Sequence, residues 1–473
     1  MDRALAYLTL IISFAVWLIQ ERRNLTYSKV IELLIAGYIF SCTFPRLQMP
    51  IYTLPYHSPW GTFGLNVRFE PFLVLFFLFI AILGRQLGWQ IQRPNIKVIC
   101  GFIIFSLYVI FNPFNVVTMA SLLPLSFVLI YFIFLEGMAQ TISLRTIVNG
   151  IYRGFVYAVV LNVILAILFP VMGIRPAAGL YFTMATVRAS ARAGAVGTFA
   201  HPNNLAVFFS YVYVFFLACY LAGFKKDSSK RWSVVAFLVV FLSGSRSALA
   251  AIVVSSVMMV ILYTYRQHSI FSPSVLLKVI LPTTTIVALL LAFTPLNDMF
   301  FGSDVDAQVV NRGAHYVSGI AIFQEHPVLG VGLNSHLKYL NDNIEIDFND
   351  YFDSYTGYDL TEEFAFNAPI HNCWLVLLCE TGLIGMAFFV FYIVRYFVKF
   401  KPRIRESKSK YYTIVLIAAL GVFVNFIIHG NTDFAPLTMQ ELNISLLLIF
   451  LAARDEYGTH LEDENTVYRT RLM

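Results

Sequence analysis

The sequence predicts an all-α integral membrane protein, and three observations carry that prediction. The chain has 473 residues, 58% of them apolar and only 13% charged, with a mean hydropathy of +0.72. That exceeds the apolar content of soluble domains by a wide margin. Second, many apolar runs approach the ~20 residues that a helix needs to cross a hydrocarbon core of about 30 Å. Closed barrels show short alternating segments instead, so helices are the reading. Third, Lys and Arg collect in alternate connections, as they do on the cytoplasmic side of a membrane.

Taken in order, the apolar spans are 4–20, 30–45, 70–84, 98–112, 118–135, 154–172, 204–223, 232–243, 247–265, 278–295, 371–394, 411–429 and 437–452. The first could pass for a signal peptide, but Glu21-Arg22-Arg23 follows it and no small-residue cleavage site precedes them, so it reads as an anchor. With the N-terminus outside, 24 of the 33 basic residues fall inside, seven of them between Arg395 and Lys410. Arg3 would prefer the inside, which keeps a twelve-span version open beside the thirteen-span one. The chain then divides into N-terminal helices over 1–190, helices over 191–295, a large extracytoplasmic loop over 296–370, C-terminal helices over 371–453 and a cytoplasmic tail over 454–473. No long-period repeat is apparent, which counts against a transporter built from duplicated halves. The five cysteines show neither a disulfide framework nor zinc spacing.

The nine outside bases are Arg3, Arg46, Arg68, Arg175, Arg188, Arg192, Arg246, Arg312 and Lys338, eight of them arginine. Arginine presents a planar fork matched to phosphate oxygens, so this face suits an anionic phosphate ligand. Singly, such arginines also snorkel to headgroups. The loop itself carries twelve acids, which read as a solvated face rather than a calcium site. Within it Val310, Ala314, Val317 and Ala321 recur at helical spacing, which predicts a short amphipathic helix with Arg312 and His315 on a shared face. Glu325-His326-Pro327 ends that helix and Gly330-Val331-Gly332 makes a tight turn.

Three segments could carry chemistry. In Ser243-Gly244-Ser245-Arg246-Ser247 the arginine follows an apolar run of about 11 residues, too short to cross the core at 1.5 Å per residue. Arg246 is therefore expected below the membrane surface, where a charge is costly and so a functional candidate, or a structural partner of a carboxylate such as Glu380. In Ala368-Pro369-Ile370-His371-Asn372 a helix start near Pro369 puts His371 at a helix N-terminus. The helix dipole there favours a neutral imidazole, suited to a general base, although a lone histidine at a helix end is more often a capping residue. Gly197-Thr198-Phe199-Ala200-His201-Pro202-Asn203-Asn204 is a third helix start, with Arg188 and Arg192 just upstream. A pyrophosphate site explains all three economically.

These segments resemble the O-antigen ligase and O-antigen polymerase superfamily, membrane glycosyltransferases that use polyprenyl-pyrophosphate-linked glycans. The resemblance rests on Gly197-Thr198-Phe199 with His201-Pro202-Asn203-Asn204, on Ser243-Gly244-Ser245-Arg246-Ser247, and on Arg312 followed by His326-Pro327-Val328-Leu329-Gly330-Val331-Gly332. It rests also on His371-Asn372 followed by Glu380-Thr381-Gly382-Leu383-Ile384-Gly385. It covers about 190 to 390; the first 190 residues match only in hydropathy. Where the family has leucine four positions after the motif arginine, Ala250 stands here and Leu249 precedes it. The resemblance implies a GT-C-like fold in which His371 activates the acceptor hydroxyl and Arg246 and Arg312 hold the pyrophosphate, assisted by Arg192 or Arg188. His201, Asn203, Asn204, Asn372, His315 and Glu380 are supporting candidates. It implies no cofactor and no metal, because arginines can stabilise the departing pyrophosphate.

The expected function is transfer or polymerisation of a glycan from an undecaprenyl-pyrophosphate donor in surface polysaccharide (O-antigen or exopolysaccharide) synthesis, with polymerase favoured over ligase. The site would face the periplasmic side of a bacterial inner membrane. Expected partners are the lipid-linked donor, a glycan acceptor, the bilayer and other polysaccharide assembly proteins, but no nucleic acid. A flippase or transporter would instead use mid-membrane acids, of which only Glu380 is clear. A non-catalytic assembly partner would use the acidic loop as a docking surface.

Overall fold

A computed structural model describes residues 11–12, 15–16, 19, 26–44, 49–53, 66–69, 96–112, 142–171, 195, 197–199, 202–267, 304–333, 335–346, 370–407, 409–433 and 439–453. The expected spans 70–84, 118–135 and 278–295, most of 4–20, the tail, Arg188, Arg192 and His201 lie outside the described residues. The helices are α1 (Tyr27–Ser41), α2 (Ile96–Phe111), α3 (Leu144–Val171), α4 (Pro202–Leu221), α5 (Lys226–Ser243), α6 (Arg246–Gln267), α7 (Asp304–Glu325), α8 (His336–Asn343), α9 (Cys373–Glu406), α10 (Lys410–Gly430) and α11 (Met439–Ala453). Between α1 and α2 a short antiparallel pair, β1 (Met49–Thr53) and β2 (Asn66–Phe69), joins Met49 to Phe69 and Thr53 to Asn66. Nothing in the hydropathy announces that hairpin. The protein is otherwise an all-α integral membrane protein. Among the described residues, α3, α4, α6, the first part of α9 and α10 each hold a stretch long and apolar enough to span a bilayer.

One apolar core runs through the bundle from Ile31 on α1 to Ala452 on α11. The aromatic rings of α4 fill its centre: Phe208, Phe215 and Phe216 are fully buried and meet Phe155 of α3 edge-on. Helices α1 and α3 approach closely because Gly150 and Gly154, four residues apart, leave no side chain between them. A Cβ at Gly150 would stand 2.7 Å from Ile35 and one at Gly154 2.6 Å from Ile39. A second, smaller core lies outside the bundle, where Ile322, Val331, Leu340, Val376 and Cys379 join α7, α8 and the start of α9.

Three elements depart from the expected boundaries. Helix α3 begins at Leu144, ten residues before its expected span. Helix α5 begins at Lys226, six residues before its apolar run, and its 18 residues are about 27 Å long. The shortness of the apolar run therefore no longer argues for the depth of Arg246. Helix α9 begins at Cys373 rather than near Pro369, because the Asn372 carboxamide caps it, accepting from the Trp374 and Leu375 amides at 2.9 Å.

Helix α9 is broken at Gly382, whose φ of 61° is left-handed. The break strands backbone groups on both sides, and the turn after α7 satisfies them. The Val331 and Gly332 amides donate to the Cys379 and Glu380 carbonyls at 2.9 Å. In return the Leu383 and Ile384 amides donate to Pro327 and Val328 at 2.9 and 3.3 Å. From α2, the Tyr108 hydroxyl donates to the Leu329 carbonyl, and the Asn112 carboxamide reaches Leu329 and Gly330 at 3.3 Å. Beyond the break Leu383, Phe388, Phe391 and Val394 are exposed apolar residues, as lipid contact requires.

Candidate active site

The ends of α4, α6, α9 and α10 meet at one end of the bundle, under α7. Asn203, in the first turn of α4, donates to the Asp433 carboxylate at 2.5 Å, and the Cys373 thiol donates to the Asp433 carbonyl at 3.2 Å. Ser247, the residue after Arg246 at the start of α6, lies 3.3 Å from Nε2 of His429 at the end of α10. The Asn372 amide nitrogen donates to the Tyr316 hydroxyl at 2.8 Å and to the Asn431 carbonyl at 3.3 Å, and Tyr316 donates to that same carbonyl at 2.9 Å. Asn372 thus caps α9 and ties it to α7 and α10. Asn204 stands half-buried in the same first turn as Asn203.

His371 precedes this cap and is half-buried. Its ring lies 4.7 Å, centroid to centroid, from that of His315 on α7. His315 is almost fully buried. Burial holds its imidazole well below the usual histidine range; His371, His336 and Arg312 push the same way and Asp433 opposes them. His315 is therefore neutral near pH 7. Arg312, one helical turn earlier, also acts electrostatically on His429. The buried line of α7 is Ala314, His315, Ser318, Gly319 and Ile322; of the expected line, Ala314 lies on it, and Val317 and Ala321 are half-buried. The buried line runs through Gly319, which admits Leu375 of α9 where any side chain would collide, while the Cys379 thiol donates to the Gly319 carbonyl at 3.0 Å.

Glu380 is paired, but not with Arg246: its Oε1 lies 2.6 Å from Nδ1 of His336 on α8, and both groups are buried. Near the bundle's other segment, Asn162 of α3 accepts from the Thr198 amide and hydroxyl at 2.9 and 3.1 Å, which fixes the turn that leads into α4. The structure therefore brings together His371, His315, Arg312, Asn372, Asn203 and the start of α6, and sets Glu380 one layer behind them. His336, Tyr316, His429 and Asp433 belong to the same cluster and were missed by sequence reasoning. His429 closes an ordinary apolar helix and Asp433 follows it, so only their place at a helix end beside Asn431 marks them.

Residues 232–390 match the family described as O-antigen ligase. That stretch belongs to the O-antigen ligase/polymerase superfamily. No curated protein matches the chain. The O-antigen ligase match takes in most of α5, all of α6, α7 and α8 and the first part of α9, hence Arg246, Arg312, His315, His371 and Glu380. The function is accordingly one of membrane glycan assembly, with a glycan donor and acceptor in a lipid environment.

Proposed function

We propose that the protein is a glycosyltransferase that uses a polyprenyl-pyrophosphate-linked glycan donor at the extracytoplasmic face of the bacterial inner membrane. The observation that carries this reading is the contact of His371 with the buried His315, one helical turn from Arg312, beside the helix end that bears Arg246. His371 takes the proton of an acceptor hydroxyl as its oxygen attacks the anomeric carbon. The bond from that carbon to pyrophosphate breaks, and its electron pair leaves with the phosphate. Arg246 and Arg312 stabilise the departing charge, with Arg188 or Arg192 assisting, so the reaction calls for no metal. Base and leaving group on opposite faces of the sugar imply inversion at the anomeric carbon.

In polymerisation the acceptor is another repeat unit, and this is the reading we adopt. Ligation to lipid or protein is the second reading, favoured by the description of the matching family. Purified protein given a lipid-linked glycan should release polyprenyl pyrophosphate, and His371→Ala and Arg246→Ala should each lower the rate by about 10²-fold or more. Wild-type rates in both variants would remove the mechanism. In a deletion strain, accumulation of single lipid-linked repeats marks a lost polymerase, and accumulation of long chains a lost ligase.

A further inference from the structure

The serines on either side of Arg246 have no part in the reaction as drawn above. Of the three serines in Ser243-Gly244-Ser245-Arg246-Ser247, the first is spent on the fold. Its hydroxyl donates to the Val240 carbonyl at 2.6 Å and accepts from the Ser245 amide at 3.2 Å, where α5 ends. The other two stand at the start of α6, in reach of a histidine. Ser245 Oγ lies 3.4 Å from Ser247 Oγ, and Ser247 Oγ lies 3.3 Å from Nε2 of His429. His429 is wholly buried, Ser245 is buried and Ser247 is half-buried.

Counting hydrogens along these three groups decides what they can do. Nδ1 of His429 is buried and has no hydrogen-bond partner among the described residues. A ring with hydrogen on Nδ1, neutral or charged, would bury an N–H with no acceptor, which is rarer than a buried acceptor left bare. The ring is accordingly assigned hydrogen on Nε2, and Nε2–H donates to Ser247. Two hydroxyl hydrogens then remain for the single contact between Ser245 and Ser247. Whichever serine donates to the other, one O–H beside Arg246 is left over, with no acceptor among the described residues. A spare donor next to an arginine, in the first turn of a 22-residue helix, suits an anion.

We propose that Ser245 and Ser247 offer this spare hydroxyl to a phosphate oxygen of the lipid-linked donor, and that His429 is the positioning residue that holds the pair. The inference rests on Arg246 holding the pyrophosphate. The serine keeps its proton throughout. It donates to an oxygen whose negative charge grows as the bond to the anomeric carbon breaks, so the contact strengthens towards the transition state. The carboxamides of the cluster are engaged elsewhere: Asn203 donates to Asp433, and Asn372 holds Tyr316 and caps α9.

Ser245→Ala leaves Ser247 with its own O–H and the incoming Nε2–H, so a donor survives. The double variant Ser245→Ala/Ser247→Ala leaves none. In purified protein of normal melting temperature, kcat/KM for a lipid-linked glycan should stay within about 3-fold of wild type in the single variant and fall about 10-fold or more in the double one, the range of a hydrogen bond to a charged group. Ser245→Ala/Ser247→Thr, which keeps one hydroxyl, should return to the level of Ser245→Ala. His429→Gln keeps an N–H donor and should stay near wild type, whereas His429→Phe should lose activity. Wild-type kcat/KM in the double alanine variant, with Arg246→Ala inactive, would overturn the serine assignment and leave the pyrophosphate site standing. Full activity in Arg246→Ala would overturn both. Should the double variant fail to accumulate, 15N-histidine spectra of the wild-type protein decide, the His429 signals being those lost in His429→Gln. Hydrogen on Nε2 is required, and hydrogen on Nδ1 would overturn the assignment because it leaves no hydroxyl to spare.

Discussion

At the scale of single residues, the site is built from side chains that each hold two elements in place. Asn372 caps α9 with its carbonyl oxygen and grips Tyr316 and Asn431 with its nitrogen. His371 was legible because its His-Asn pair and the glycines that follow form a local pattern. His336, His429 and Asp433 were not, because their partners lie 44, 182 and 230 positions away along the chain. His315 makes a prediction about acid stability. Its folded-state imidazole stays neutral well below the ordinary value of 6.5, whereas the unfolded chain takes up that proton as pH falls through 6.5. Below 6.5 the unfolded state thus binds more protons, and folding loses up to about 1.4 kcal/mol per pH unit. Detergent-solubilised protein should melt at a lower temperature at pH 5 than at pH 7.5, and His315→Gln should narrow that gap. An unchanged gap in the variant would show that another group carries the acid sensitivity.

At the scale of elements, the turn after α7 and the broken helix α9 act as one unit. The sequence showed two separate glycine motifs, Gly330-Val331-Gly332 and Gly382-Leu383-Ile384-Gly385, and gave no sign that they touch. In the fold, a Cβ at Gly330 would lie 2.5 Å from the backbone carbon of Glu380, and one at Gly382 would collide with the Val328 carbonyl. Both glycines are left-handed, with φ of 67° and 61°. Gly223 offers the control, with φ of 70° and open space around its Cβ position. Alanine at Gly223 should cost only the left-handed penalty of about 1–2 kcal/mol. Alanine at Gly330 should add a clash with backbone that cannot turn aside, so its melting temperature should fall several degrees further and glycan transfer should fall with it. Equal melting temperatures for the two variants would mean that the turn does not hold the break. The start of α9 was misplaced for a related reason. Proline announces a first turn only in general, and here the capping side chain of Asn372 sets it.

At the scale of the whole molecule, charge separates the two ends. Away from the site, Arg153 bonds Glu32 at 2.7 Å, and Lys225 sits 4.4 Å from the centre of the Tyr152 ring; the amine of Lys410 approaches Phe224. Burial and the nearby Arg153 and Lys29 hold the Lys225 ammonium below its usual range, against Glu32. Among the described residues, Lys29, Arg153, Lys225 and Lys410 thus gather at the end opposite His371. The five spanning stretches among the described residues were legible because hydropathy is a sum over many residues, whereas the site motifs could be read only where they are local. In a Cys100→Ser background, Asp227→Cys should resist a membrane-impermeant maleimide in intact cells, and Gln324→Cys should react with it. The reverse pattern would invert the proposed orientation. The bonds from Tyr108 and Asn112 to Leu329 and Gly330 carry a further meaning. The stretch that sequence comparison recognises leans on a helix more than a hundred residues before it. The matched stretch is thus not an autonomous module, and a chain cut between the two halves would have to reassemble before its turn and its broken helix could close.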